Sequence, residues 1–449
     1  MRRLYCPMMV YTRGRFWTEA AVLVENGVIQ EVAPRIELEP RVDARERVDW
    51  SDLLLVPGTV NAHNHSFQSL LRGIAVDVPF LQWRDEALYR FSPHLDPEAI
   101  YYGALLAFGE MMRYGVTTVC DFFYVHQDGL ECDEAVIRAA GDLGIRLVLA
   151  RTLYDWPGAP AGYLEPVELA MARTRHLAAK YQGNPLVRVI PAPHSLHGAS
   201  PEMVMAAHRL AEELECRFHI HVSEEPFEVE QVQAEHGLRP VELLDRLGVL
   251  DERLVAIHAV WLDDGEIARM GEKGAHLVYC PSSNMFLADG VTKIPQLVKA
   301  GVSVALGTDG ACSNNRTSVF EEMRMTALLQ KVSTLDAAAV SAKQAFSMGT
   351  EVGGEILELP VGRIEPGYAA DFVGIDPRDW SMQPFHGGTD VVAQIVYAMQ
   401  PQAIRRVVIA GEERVRDGSI AGLSREDVVM NVSAVMDRLH RLASKKTNT

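Results

Sequence analysis

No run of about 20 consecutive apolar residues is present, the length a bilayer-spanning helix needs. The N-terminal MRRLYCPMMVYTRGRF holds two arginines but only a short, interrupted apolar run, so it does not read as a secretory signal. Cysteine is scarce and scattered: Cys6, Cys120, Cys132, Cys216, Cys280 and Cys312 form no C-x-x-C pair, which leaves no sign of structural zinc or a redox motif and reads as reduced thiols. Positive charge is in deficit, with 43 Lys and Arg against 60 Asp and Glu for a formal net charge of −17. Phosphate backbones require clustered cations, so a nucleic-acid partner is excluded. Low-complexity tracts and internal repeats are also missing. The expected compartment is the cytoplasm, and the expected partner is a small-molecule substrate, with no membrane; a homo-oligomer is compatible with this composition.

What is present is core-building material. Hydrophobic residues make up 48% of the 449 and charged residues 23%, the balance of a folded globular protein. That length exceeds one ordinary domain, so a large unit plus a smaller one is expected. From Arg3 to about Leu55, short apolar runs alternate with turn signals, and in AAVLVENGVIQEVAP the residues Glu25, Asn26 and Gly27 mark a hairpin. The same texture returns in GRIEPGYAADFVGIDP and AIRRVVIAGEERVRDGS, so the two β-rich ends are expected to pack together. The closing MNVSAVMDRLHRLASKKTNT reads as a helix with a polar, frayed tail.

Between the ends the period changes. β-branched runs alternate with amphipathic stretches such as PEMVMAAHRLAEELE. The candidate strands are LLLVPGTVNAHNH, TTVCDFF, IRLVLARTLY, VRVIPAPHS, CRFHIHVSE, LVAIHAV, HLVYCPSS and VSVALGTDG, about the number at which a parallel sheet closes into a (β/α)₈ TIM barrel. A doubly wound open sheet competes, but no G-x-G-x-x-G follows the first strand. The expected division is residues 1–57 and 358–423 in a small β-sandwich, 58–357 in the barrel, and 424–449 in a C-terminal helix and tail.

His63 and His65, His194, His221 and Glu224, His258, and Asp309 all terminate candidate strands, and a barrel gathers such ends on one catalytic face. His63 and His65 are two apart, so both leave the same side of the pleat and can reach one cation. With His221, His258 and Asp309 they offer nitrogen and oxygen donors suited to Zn²⁺ or Fe²⁺. Singly, each has an ordinary reading: Asp309 as a turn or capping residue, His258 as a buried hydrogen-bonding histidine. Glu224 lies three residues past His221 and is expected to shuttle a proton, because burial raises a carboxyl pKa toward neutrality. Glu225 is expected to be a solvent-facing charge. A cation that lowers the pKa of water from ~15.7 to ~7 makes hydroxide available, with Asp309 accepting the proton and His258 stabilising the developing tetrahedral centre.

With PGTVNAHNH, HIHVSEE, AIHAV and LGTDG in this order, the chain resembles the amidohydrolase superfamily, in its mononuclear deaminase and chlorohydrolase-like branch, over nearly its whole length. The resemblance implies His63, His65, His221 and Asp309 as metal ligands and Glu224 with His258 as the acid/base and electrostatic pair. It implies one metal, Zn²⁺ or Fe²⁺, because the fourth strand end carries His194 where dinuclear relatives have a bridging lysine. Two subfamilies are echoed. HNHSFQ, Trp83-Arg84, FFYVHQD and PHSLH resemble formiminoglutamate deiminase, in which Gln68, Arg84, Tyr124 and His194 match substrate-contacting positions; His197 stands where that family has an arginine for the substrate carboxylate. SLLRG, CPSSNMFLADG and GTDGACSNN resemble the deaminases of S-adenosylhomocysteine and methylthioadenosine. Both imply hydrolysis of a C–NH₂ or C=NH group with release of ammonia. The competing functions are triazine chlorohydrolase or alkylaminohydrolase chemistry and a catalytically silent barrel used for binding.

Overall fold

The computed structural model describes residues 1–444. The N-terminal segment supplies β1 (Arg2–Thr12), β2 (Arg15–Thr18), β3 (Ala20–Glu25), β4 (Val28–Pro34) and β5 (Arg47–Pro57). β3 and β4 pair antiparallel across the expected hairpin, with Asn26 at φ 51 and Gly27 at φ 79, both in the left-handed region that a two-residue type I′ turn demands. Gly27 is required twice over: a Cβ there would lie 2.6 Å from the Ala410 carbonyl oxygen.

Eight parallel strands follow, each on an expected segment, with β7 starting one residue early at Val116. β6 (Thr59–Asn64), β7 (Val116–Phe123), β8 (Arg146–Leu153) and β9 (Val187–Pro193) form one four-stranded sheet. β10 (Phe218–Val222), β11 (Leu254–His258), β12 (His276–Tyr279) and β13 (Ser303–Leu306) form a second. Every residue of β7 and β8 is buried, including the charged Asp121, Arg146 and Arg151, as strands covered on both faces require. Helices such as Pro97–Arg113, Glu131–Leu143 and Pro201–Glu213 alternate with the strands; the last is the predicted PEMVMAAHRLAEELE helix, capped by Ser200 Oγ accepting from the Met203 N–H at 3.1 Å.

The two sheets meet at both ends. The His221 N–H donates to the His194 carbonyl at 3.0 Å, and the Asp309 N–H donates to the His63 carbonyl at 3.1 Å. At the second seam a Cβ on Gly307 would sit 2.8 Å from the His63 carbonyl oxygen, so only glycine lets β13 approach β6 this closely. Both seams thus run through residues singled out for chemistry.

The C-terminal segment adds β14 (Phe372–Ile375), β15 (Ile404–Ile409), β16 (Glu412–Arg416) and β17 (Ser419–Ile420). They join the first five strands in one nine-stranded sheet of order β17-β16-β15-β14-β5-β1-β3-β4, with β2 on β1. The chain ends therefore share a sheet, sealed by edge-to-face contacts among Tyr5, Trp50 and Phe372 at 4.8 to 5.9 Å. The final helix runs Arg425–Ser444. The expected frayed tail, 445–449, lies outside the described residues. All six cysteines are buried and none is bonded to another.

One buried ionic network ties β8 to what surrounds it. Arg151 is wholly buried; its Nε lies 3.1 Å from Asp133, and its two terminal nitrogens donate to Glu165 at 2.7 and 2.9 Å. Asp133 also meets His126 Nδ1 at 3.0 Å, and Glu165 accepts from Arg173 at 2.8 Å. Removing one partner of such a set strands the others without water. Arg151→Met is expected to lower the unfolding free energy by about 3–5 kcal/mol in a urea titration; a loss below about 1 kcal/mol would show the network to be dispensable.

Candidate functional site

Three strand ends turn through left-handed backbone at non-glycine residues: Ser223 after β10 (φ 51), His258 closing β11 (φ 69) and Asp309 after β13 (φ 58). Such conformations cost of order 1–3 kcal/mol each and persist where surrounding structure dictates them. At the end of β6, the buried Asp121 of β7 accepts from Asn64 Nδ2 (3.0 Å), the Ser66 N–H (2.6 Å) and Ser66 Oγ (2.7 Å), so it grips the chain on either side of His65.

The result is a convergence of donor atoms. His63 Nε2 is 3.2 Å from His221 Nε2, His65 Nε2 is 3.1 Å from Asp309 Oδ1, and His63 Nε2 is 3.5 Å from the same oxygen. Four donors held ~2.0–2.1 Å from one tetrahedral ion would stand roughly 3.3–3.4 Å apart, so the spacing fits a single cation. The outward atoms are engaged. His65 Nδ1 bonds the Phe122 carbonyl at 2.6 Å and His221 Nδ1 the His194 carbonyl at 2.8 Å, which turns each Nε2 lone pair inward. Asp309 Oδ2 accepts from Ser283 Oγ at 2.6 Å and Ser313 Oγ at 2.8 Å, leaving Oδ1 to face the histidines. His63 Nδ1 is buried with no partner.

Glu224 and His258 stand together beside this cluster, with His258 Nε2 3.3 Å from Glu224 Oε1. Burial, reinforced by the charges of Asp289 and Asp309, holds the Glu224 carboxyl well above its usual range. Burial also drops His258 to about 3 and His63 to about 4, so both rings are neutral at pH 7. Asp309 stays ionised: burial pushes it up, but its close contacts with His63 and His65 hold it well below the ordinary carboxylate range. Glu225 departs from expectation. It is half-buried with its carboxyl against Asp289, because the chain enters the helix Pro226–His236 immediately afterwards and turns that side chain inward.

A pocket opens over the cluster, and the structure brings every expected substrate residue to it: Gln68, Arg84, Tyr124, His194 and His197. Gln68 Nε2 donates to Tyr124 Oη at 3.0 Å. Arg84 packs over the Tyr89 ring at 4.7 Å and pairs with Asp85 at 2.8 Å. Burial leaves His194 well below its usual pKa and His197 at about 4, so neither is a cation. Sequence reasoning missed Phe80, Tyr89, Tyr154 and Tyr163 in the walls. Tyr154 could have been found, since it directly follows β8; the others sit on connecting segments with no periodic signal. It also missed Ser283, Ser313 and Asn284, whose roles appear only in three dimensions.

With this geometry in view, comparison with known proteins is informative. Residues 54–414 match the model of the amidohydrolase family. The chain is 35% identical over 437 residues to a 5-methylthioadenosine/S-adenosylhomocysteine deaminase of Syntrophobacter fumaroxidans, covering 96% of this chain and 94% of that one. It is 36% identical over 412 residues to a 5'-deoxyadenosine deaminase of Methanothermobacter thermautotrophicus, covering 91% and 92%. A zinc-bound adenosine deaminase from Xanthomonas campestris superposes with a TM-score of 0.91 at 30% identity over 98% of each chain. A zinc-bound atrazine chlorohydrolase of Arthrobacter aurescens superposes at 0.89 and 23% identity, over 96% of this chain and 99% of that one, and speaks to fold alone.

The hydroxyls behind Asp309 are open to test. Ser283→Ala is expected to weaken Zn²⁺ binding about 10–100-fold, the usual effect of losing a bond that orients a ligand. Competition with a chromophoric chelator measures it, and an unchanged affinity would remove Ser283 from the supporting shell.

Proposed function

From the premise that the chain belongs to the amidohydrolase family, we propose that it is a metal-dependent hydrolytic deaminase acting on an aminated purine or purine nucleoside. It hydrolyses a carbon–nitrogen bond other than a peptide bond and releases ammonia. The observation that carries this reading is the Glu224–His258 pair, 3.3 Å apart, facing a four-donor cluster at the floor of an aromatic-walled pocket. His63, His65, His221 and Asp309 hold one divalent ion per chain, with Zn²⁺ favoured by the donor set and by the zinc in a 30% identical neighbour. When bound, that ion supplies a water acidic enough to lose its proton near neutral pH. Asp309 accepts the proton. Glu224 carries a proton to the departing nitrogen or the adjacent ring nitrogen, and the neutral His258 donates to the attacking oxygen, stabilising the developing tetrahedral centre.

The substrate reading rests on the walls and the relatives. Phe80, Trp83, Tyr89, Tyr124, Tyr154 and Tyr163 present aromatic surface suited to a planar heterocycle. Among the described residues lining this pocket, Arg84 is the one side chain charged positively at neutral pH, and it is already paired. A formimino-amino acid is the second reading, favoured by Gln68, Arg84, Tyr124 and His194 meeting in one pocket. The neutral His197 offers its carboxylate no bidentate clamp. The two four-stranded sheets form one closed (β/α)₈ barrel over 58–357, the sheet shared by 1–57 and 358–423 belongs to the small β-sandwich domain, and 424–449 is the appended C-terminal segment, of which Arg425–Ser444 is helix. No helix among the described residues is long and apolar enough to cross a membrane, in keeping with a cytoplasmic enzyme.

Ammonia release across adenosine derivatives, oxidised purines, pterins, cytosines and formimino-amino acids tests the substrate class. Turnover of formimino-amino acids alone would overturn the purine reading. Elemental analysis is expected to give about one Zn per chain, lost in His63→Ala with His65→Ala. Two tightly held ions would contradict the single ligand set. Glu224→Gln is expected to keep that metal and the fold while kcat falls about 10²–10⁴-fold, because the amide preserves shape and removes the transferable proton. Metal lost along with activity would make Glu224 a ligand instead.

A further inference from the structure

Among the buried polar side chains with no part in the mechanism so far, Asn284 makes the most specific contact. It sits in the helix Pro281–Phe286 after β12 and is wholly buried. Its amide nitrogen lies 3.1 Å from His258 Nδ1 and 2.9 Å from Asp289 Oδ2, so the two N–H bonds point at two acceptors. Its amide oxygen is buried with no partner. A buried unpaired carbonyl costs free energy, so this orientation is kept for what the nitrogen does.

Asp289 explains why the amide is not reversed. Its N–H donates to the Asn284 main-chain carbonyl at 2.9 Å, and its own carbonyl accepts from Trp261 Nε1 at 2.8 Å, which fixes the side chain against Asn284. The same carboxyl also meets the Glu225 side chain, and its Oδ2 is the oxygen that accepts from Asn284. On the far side of the ring, Thr292 Oγ1 donates to the His258 carbonyl at 2.8 Å, so the residue is held by main chain and side chain together.

A neutral imidazole carries one N–H and one lone pair, and a donor against one nitrogen places the proton on the other. We propose that Asn284, oriented by Asp289, is a positioning residue that fixes His258 as the Nε2–H tautomer and thereby aims a donor at Glu224 and at the oxygen added to the reacting carbon. With the opposite tautomer, Nε2 would present a lone pair that repels developing negative charge and competes for the proton Glu224 carries. The inference rests on the deaminase reading for its consequence in catalysis, but the tautomer itself can be read without any substrate.

The test is ¹⁵N NMR of zinc-loaded, ¹⁵N-histidine-labelled protein, with the His258 signals among the 15 histidines assigned by difference from His258→Gln. The expected spectrum has a pyrrole-type Nε2 and a pyridine-type Nδ1. An Nδ1–H signal in the wild type overturns the proposal, whatever the substrate panel gives. The exchanged pair Asn284→Asp with Asp289→Asn keeps size and contact while reversing polarity. It is expected to move the proton to Nδ1 and to lower kcat at least ~100-fold, with KM within about threefold and metal content unchanged; a misplaced histidine tautomer in a serine-protease triad costs ~10⁴. An exchanged pair with wild-type tautomer overturns the role of Asn284. A reversed tautomer with wild-type kcat overturns the catalytic consequence. If the exchanged pair does not fold, the wild-type spectrum still decides the tautomer.

Discussion

Four inward-facing donor atoms in one dry space are the constraint around which this protein is organised. The inward atoms of His63, His65, His221 and Asp309 lie 3.1 to 3.5 Å from a neighbour, and all four residues are buried. Without a shared cation or proton, lone pairs at such distances repel, and burial removes the water that would soften the repulsion. The chain holds three of them there by using the other side of the group. Backbone carbonyls take Nδ1 of His65 and His221, and two serine hydroxyls take the outer oxygen of Asp309. The left-handed turns at Ser223, His258 and Asp309 belong to the same arrangement, since each redirects a strand end over the barrel mouth.

The same residues join the architecture. His221 and His194 bond across one seam between the four-stranded sheets, and Asp309 and His63 across the other. The contacts that join the sheets and those that gather the cluster therefore involve the same residues. A register slip of a single residue in β6 or β10 would both break a seam and turn His63 or His221 to the opposite face. Gly307 carries part of this burden, because any side chain there would push β13 away from His63.

Much of this was legible in the sequence for a physical reason. Strand-end chemistry leaves a local trace: a β-branched run followed at once by His, Glu or Asp, repeated in order along the chain, as at AHNH, HIHVSE, AIHAV and LGTDG. The eight inner strands and the Asn26-Gly27 hairpin were equally readable, because alternation and turn chemistry are local. What could not be read depended on contacts distant in sequence. That β5 pairs with β14, placing Pro57 opposite Phe372, has no local signature. Ser283 and Asn284 lie in an ordinary-looking CPSSN segment, and only the approach of β11 and β13 makes them partners of His258 and Asp309. Glu225 was misread because sequence shows its neighbour Pro226 but not the Asp289 carboxyl waiting across the pocket wall.

Rigid and adjustable parts divide along these lines. The inward-facing donor atoms come from strand ends, and those of His65, His221 and Asp309 are also held from their outer side, so they have little room to move. Glu224 is anchored differently: it lies in the short connection between β10 and the helix Pro226–His236, its N–H held by Glu228 at 3.1 Å and its carboxylate meeting the His258 ring. A group that must take a proton from one atom and give it to another needs a side chain able to swing between them, while its backbone stays fixed. His258 is the counterpart that must not swing, because its value lies in a donor pointing one way. The Asn284 bond to its ring and the Thr292 bond to its carbonyl give it that fixity, in keeping with the proposed division between a proton carrier and an electrostatic partner.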